Sequence, residues 1–186
     1  KPDKMPYSFW THMPGTDLDP EAISQKTYEF YKKYDFDFVK TMNNGMYAIE
    51  DFGCTVDYSE IVKGGVAKVV STPISCAADW RKLTVCPCTQ GSNARELRHL
   101  QLVLEKLKGE EVPVIFTAFT PITIADKISG GKLISYIEEG HGDDVKAALE
   151  VITETTAQLV AAAIDMGADG IFLASQMSSY DKCTDR

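Results

Sequence analysis

The chain has 186 residues, 44% of them hydrophobic and 25% charged, with a formal net charge of −8. This apolar content excludes disorder, and the length suits one domain or two small ones. The 27 acidic residues against 19 basic ones argue against nucleic-acid binding, and no apolar run approaches the roughly 20 residues of a bilayer span.

Residues 7–12 form an aromatic, β-favouring run after Pro6 and read as a strand. Asp19 then serves as an N-cap, with Pro20 at the first helical position and Glu21 in the first turn. Ile23, Thr27, Phe30, Tyr31 and Tyr34 share one face, so residues 20–34 are expected as an amphipathic helix. Residues 36–42 are the next strand, ended by the turn signal Asn43-Asn44-Gly45. The unit is β-α-β, expected to be parallel and right-handed.

Residues 46–90 break this rhythm and read as an excursion from the main sheet. A helical turn is expected over 47–52, ending at Gly53. Two short strands, 55–58 and 66–71, flank Gly64-Gly65. The rhythm returns with a helix over 93–108, capped by Ser92 and burying Leu97, Leu100, Leu104 and Leu107. Residues 112–119 read as a strand, and Thr120-Pro121 opens a short helix closed by Gly130-Gly131. A long helix starts at Asp143 or Asp144, turns at Gly167, and leads to a strand over 171–174.

Four β-α units, with strands near 7–12, 37–42, 113–119 and 171–174, point to an α/β fold. Periodicity alone leaves two architectures open. A doubly wound sheet fits the length but lacks a glycine-rich phosphate loop after the first strand. A (β/α)8 barrel needs about 250 residues, so the chain would supply about half of one. The start at Lys1 and the polar stretch running to Arg186 read as cuts through a longer chain.

Cys54, Cys76, Cys86, Cys88 and Cys183 are too few for a disulfide scaffold. With no segment that reads as a signal peptide, they are expected as reduced thiols in the cytoplasm. Cys86-Pro-Cys88 is the one close pair; with no His or Cys nearby to complete a tetrahedral set, it reads as two loop thiols rather than a zinc site.

The segment Phe116-Thr-Ala-Phe-Thr-Pro-Ile-Thr-Ile-Ala-Asp-Lys-Ile-Ser-Gly130 resembles the uroporphyrinogen decarboxylase superfamily. So do residues 7–15 after Lys-Pro-Asp-Lys, Tyr47-Ala-Ile-Glu-Asp-Phe-Gly53, and Gly167-Ala-Asp-Gly-Ile-Phe-Leu-Ala-Ser-Gln176, in that family's order and spacing. The resemblance implies a partial (β/α)8 TIM barrel. Residues 1–186 would be the N-terminal part of one barrel domain, with the excursion at about 46–90 and the remainder outside this chain.

In a barrel the site lies where strands end and helices begin. The residues expected there are Thr11, His12, Asn43, Asn44, Thr120, Ser175 and Gln176, an uncharged wall with one imidazole. His12 is the catalytic candidate, because its unperturbed pKa lies near working pH. The other six are candidates for substrate binding. His99 and His141 read as surface residues, and so does Glu50. Tyr7, Phe9 and Trp10 read as core packing, with stacking on a flat tetrapyrrole as the alternative.

The superfamily holds two chemistries, uroporphyrinogen decarboxylation and corrinoid-linked methyl transfer to a thiol. The decarboxylases grip a molecule of eight carboxylates, which calls for Arg forks. Only Arg81, Arg95, Arg98 and Arg186 are present, and none lies in the first loop, 11–15. Asn43-Asn44 stands where the family's Asp is expected. Lys127 stands at its tyrosine, and Ser175 or Gln176 at its serine.

The resemblance therefore implies a divergent enzyme, favoured as a corrinoid-linked methyltransferase. That chemistry brings zinc and a corrinoid as cofactors, with metal ligands beyond Arg186, and a small-molecule substrate with a corrinoid protein as partner. Decarboxylation, which needs no cofactor, is the alternative; a non-catalytic half barrel that binds a corrinoid or a partner is the third. A half barrel exposes open sheet edges, so a homo-oligomer is also expected.

Overall fold

The computed structural model describes residues 4–179. Helix α1 spans Pro20–Tyr34. It starts where the Asp19 carboxylate accepts the backbone N–H groups of Glu21 (3.0 Å) and Ala22 (3.2 Å), with Pro20 already set for helix. Strand β1 is short, Val39–Lys40. The excursion carries α2 (Tyr47–Glu50) and an antiparallel hairpin of β2 (Thr55–Asp57) and β3 (Lys68–Ser71). Helix α3 (Gly91–Lys106) leads to β4 (Val114–Phe119), and α4 (Pro121–Ile128) follows at once. Helices α5 (Leu133–Tyr136) and α6 (Gly142–Met166) meet at a kink where Gly140 takes φ 92°. Strand β5 is Gly170–Ala174.

The main sheet has three strands in the order β1-β4-β5, all parallel. Residues 7–12 add no strand to it, contrary to the expectation of four. Asp37 N–H donates to the Tyr7 carbonyl (3.0 Å), but the Tyr7 N–H goes to the Asp37 carboxylate (2.8 Å). A side chain takes the place of the next ladder bond, and the pairing stops there.

Each strand turns one face to the helices and the other to open space, with period two. Val39, Val114, Phe116 and Ala118 pack with Leu97, Leu100, Val103, Leu159 and Ala163 of α3 and α6. Lys40, Thr117, Phe119, Phe172 and Ala174 face the other way, into a cavity. A second core lies under α4 and α6, around Trp80, Ile128, Leu133 and Ile152. By length and composition alone the stretch Leu133–Met166 would cross a membrane. Polar residues interrupt this stretch, so it holds no long unbroken apolar run. In the fold the buried stripe Val145, Ala148, Ile152, Leu159 and Ala163 packs into these two cores.

Helix α3 is capped from a distance. The Asp51 carboxylate, just past α2, accepts the N–H groups of Ser92 and Asn93, each at 2.8 Å. Ser92, the expected cap, instead donates its hydroxyl to the Tyr47 carbonyl at 2.6 Å. A helix N-terminus carries free N–H groups and partial positive charge, so a carboxylate there satisfies both. Gly91 makes room: it sits at φ +67°, and a Cβ would stand 2.1 Å from Asp51 Oδ1.

Asp51→Ala is expected to cost about 1–2 kcal/mol in urea denaturation. Gly91→Ala should cost at least as much, and the double variant less than the sum, because both changes break one interaction. Additive losses would show that the two positions act separately.

Candidate functional site

The cavity of about 230 Å³ lies at the carboxyl ends of β1, β4 and β5. Strand β1 and its loop supply Lys40, Met42 and Asn43; β4 supplies Thr117 and Phe119; β5 supplies Phe172, Ala174 and then Gln176. Lys127 enters from α4, and Trp10, Thr11 and His12 close the rim. In register, Thr117 pairs with Phe172 and Phe119 with Ala174, so these residues stand in two layers. That is the alternation a sheet closing on itself requires.

Four of the seven expected site residues are brought together: Thr11, His12, Asn43 and Gln176. His12 is exposed at the rim, with its ring edge-on to Trp10 at 5.7 Å. The other three lie outside the lining. Asn44 is buried; its Nδ2 donates to Asp17 Oδ2 (3.0 Å), and its Oδ1 accepts from the Met46 N–H (2.9 Å) and the Tyr58 hydroxyl (3.2 Å). Thr120 shares a 2.8 Å hydroxyl contact with Thr123 at the start of α4. Ser175 pairs with Ser178.

The wall is not uncharged. Lys40 and Lys127 both line it, and among the described residues no Asp or Glu does. Burial pushes the Lys40 ammonium down to about 8 from the ordinary lysine value of 10.5. Its Nζ rests 4.3 Å from the Trp10 ring centroid and 4.5 Å from that of Phe172. Burial also lowers Lys127, partly countered by Asp126; its Nζ donates to the Gly45 carbonyl at 3.2 Å and lies 4.9 Å from the Phe119 ring centroid. Lys40 was missed because a lysine at the end of a strand reads as solvated. The period-two set Lys40-Met42, Thr117-Phe119, Phe172-Ala174 was the available signal.

Behind the cavity loop runs a half-buried polar network. Arg95 donates to Glu50 (2.8 Å) and Glu96 (3.2 Å), and the Tyr58 hydroxyl shares its one proton between Glu50, at 2.9 Å, and Asn44 Oδ1. Burial and the Glu50 charge raise the Tyr58 phenol. Glu50 is therefore an ion-paired residue between elements, not a surface one. His99, also expected at the surface, is 1% exposed, with Nε2 3.5 Å from the Thr27 hydroxyl. Its face of α3 is covered by α1, which helix periodicity alone did not place.

Among the described residues no three of His, Cys, Asp and Glu come together as a metal site. Cys86 is buried and donates its thiol to the Asp51 carbonyl at 3.3 Å, while burial pushes it up to about 11, away from the thiolate a metal needs. Cys183 lies outside the described residues. The donors among the described residues do not fit a zinc ion.

The uroporphyrinogen decarboxylase (URO-D) family model matches residues 7–182. The chain belongs to the uroporphyrinogen decarboxylase family. No curated protein sequence matches significantly. Among solved structures, a methyltransferase from Methanosarcina mazei is similar, with 20% identity and a TM-score of 0.77 over 92% of this chain. This URO-D family chain spans half the length of that protein. At that identity the likeness establishes the fold: a parallel sheet with its helices, matching half of a larger chain.

Lys40 gives a stability prediction. Between about pH 8 and 10.5 the unfolded chain holds a proton that the folded Lys40 releases, so this group makes stability rise with pH in that window. Lys40→Met should raise stability at pH 7 by about 1–3 kcal/mol and flatten the rise. A variant no more stable at pH 7, with the rise intact, would show that Lys40 is not desolvated.

Proposed function

We propose that this chain forms one wall of the ligand site in a superfamily enzyme that has diverged from haem-pathway decarboxylation, with corrinoid-linked methyl transfer to a thiol as the favoured activity. The observation that carries the reading is the fate of the arginines. Arg95 is committed to Glu50 and Glu96, Arg81 to Asp144, and Arg98 to Glu21, so none of the three lines the cavity. A substrate with eight carboxylates needs several fixed cations; two lysines and aromatic walls suit a smaller molecule with far less charge.

His12 is proposed as the acid–base residue, exchanging a proton with the substrate at the rim. Thr11, Asn43 and Gln176 are proposed to hydrogen-bond the ligand, and Trp10, Phe119 and Phe172 to exclude water; their shared lining of the cavity supports this. Asn44, Thr120 and Ser175 are withdrawn as direct contacts, because their side chains serve the surrounding loops. Decarboxylation is the second reading, favoured by the two lysines, which can hold a carboxylate.

The intact protein, given a methylated corrinoid and a series of thiols, is expected to methylate a thiol and to release no carbon dioxide from uroporphyrinogen. Robust carbon dioxide release would overturn the reading. His12→Ala should cut turnover by about 100-fold or more with an unchanged melting temperature. Unchanged turnover would make His12 a rim residue without a chemical role.

A further inference from the structure

The cavity wall holds a positive charge that the described residues do not answer. Lys40 is 7% exposed. Its ammonium rests against the faces of Trp10 and Phe172, and burial lowers its ionisation. Ring faces recover part of the lost hydration but accept no hydrogen bond of ordinary strength. A buried ammonium left in this state is costly, and the cost is offset only when an opposite charge arrives. Among the described residues no carboxylate lines the cavity.

A second donor is left over nearby. The Thr41 hydroxyl accepts the Thr117 N–H at 3.0 Å and spends its own proton on Asn43 Oδ1. That bond fixes the Asn43 amide, and its Nδ2 is buried without a partner. Buried amide donors are nearly always satisfied, so an orphan in a cavity wall is a mark of a missing acceptor. Lys127, in the same wall, commits one of its three donors to Gly45.

We propose that Lys40, Asn43 and Lys127 form an anion subsite that seats the single carboxylate of a small organic substrate, its apolar body lying against Trp10, Phe119 and Phe172. Two oxygens of a carboxylate offer about four acceptor positions, enough for these three groups. The part of the cavity that this chain forms, about 230 Å³, has room for a short chain or one ring. The role of the subsite in turnover rests on the function proposed above; the subsite itself rests only on the unspent donors.

The test separates the two. Pentanoate and its neutral isostere pentanamide are titrated calorimetrically into the intact protein, neither being able to donate or accept a methyl group. Wild type should bind the acid about tenfold or more tightly than the amide, as charge-assisted hydrogen bonds imply. Lys40→Met should remove that preference while leaving amide binding within about twofold, and the melting temperature of the variant shows that it is folded. Asn43→Leu and Lys127→Met should each reduce the preference in part. Equal affinity for acid and amide in wild type would overturn the subsite, and so would no acid binding at tens of millimolar or a preference that survives in Lys40→Met. If the acid preference holds and no thiol is methylated, the subsite stands and the methyl-transfer reading falls.

Discussion

Two neighbouring acids at the end of α2 hold the molecule's working end in place. Asp51 caps α3, and Glu50 pairs with Arg95 one turn further along the same helix. Together they clamp a four-residue helix, too short to persist alone, onto a sixteen-residue one that packs on α1 and the sheet. From Glu50 the bonds continue through Tyr58 to Asn44 and Asp17. The loop carrying Asn43 is therefore anchored from the side away from the cavity, and the cavity residues are left to face whatever enters.

This arrangement puts unlike demands on neighbouring residues. Asn43 and Asn44 are adjacent and chemically identical, yet one lines the cavity with a donor unspent while the other has its amide and carbonyl filled by Asp17, Met46 and Tyr58. The charge distribution divides in the same way. The chain carries a net charge of −8, but among the described residues the cavity lining holds two ammoniums and no acid. A low-dielectric cleft of one sign concentrates field lines on an incoming ion of the other, even in a protein that repels it at long range.

What the amino-acid sequence disclosed were the features whose causes are local. Asp19-Pro20-Glu21 announces α1, Gly64-Gly65 separates the hairpin strands, and Thr120-Pro121 opens α4, each through a cap or turn a few residues long. The α3 cap was assigned to Ser92 because its real partner, Asp51, is about forty residues away. The strand expected at 7–12 has the right composition, but only its pairing with Asp37 reveals that the ladder stops. His99 was misplaced, and Lys40 went unread, for one reason: periodicity tells which residues share a face, not what covers it. Of the site itself, His12, Thr11, Asn43 and Gln176 were legible as strand-end residues; Lys127 was legible only through the family's tyrosine position, and Lys40 was not.

The two-faced alternation along the sheet also decides which changes of length the protein can survive. Deleting a single residue within β4 would turn Phe116 and Ala118 toward the ligand and send Thr117 and Phe119 into the helix layer, exchanging lining and core in one step. The β2–β3 hairpin stands outside the main sheet, with Val62, Val66 and Val70 exposed, and residues added at its tip leave the alternation of the parallel strands untouched. Relatives should thus differ in length through this outlying arm and keep the spacing of the parallel strands residue for residue.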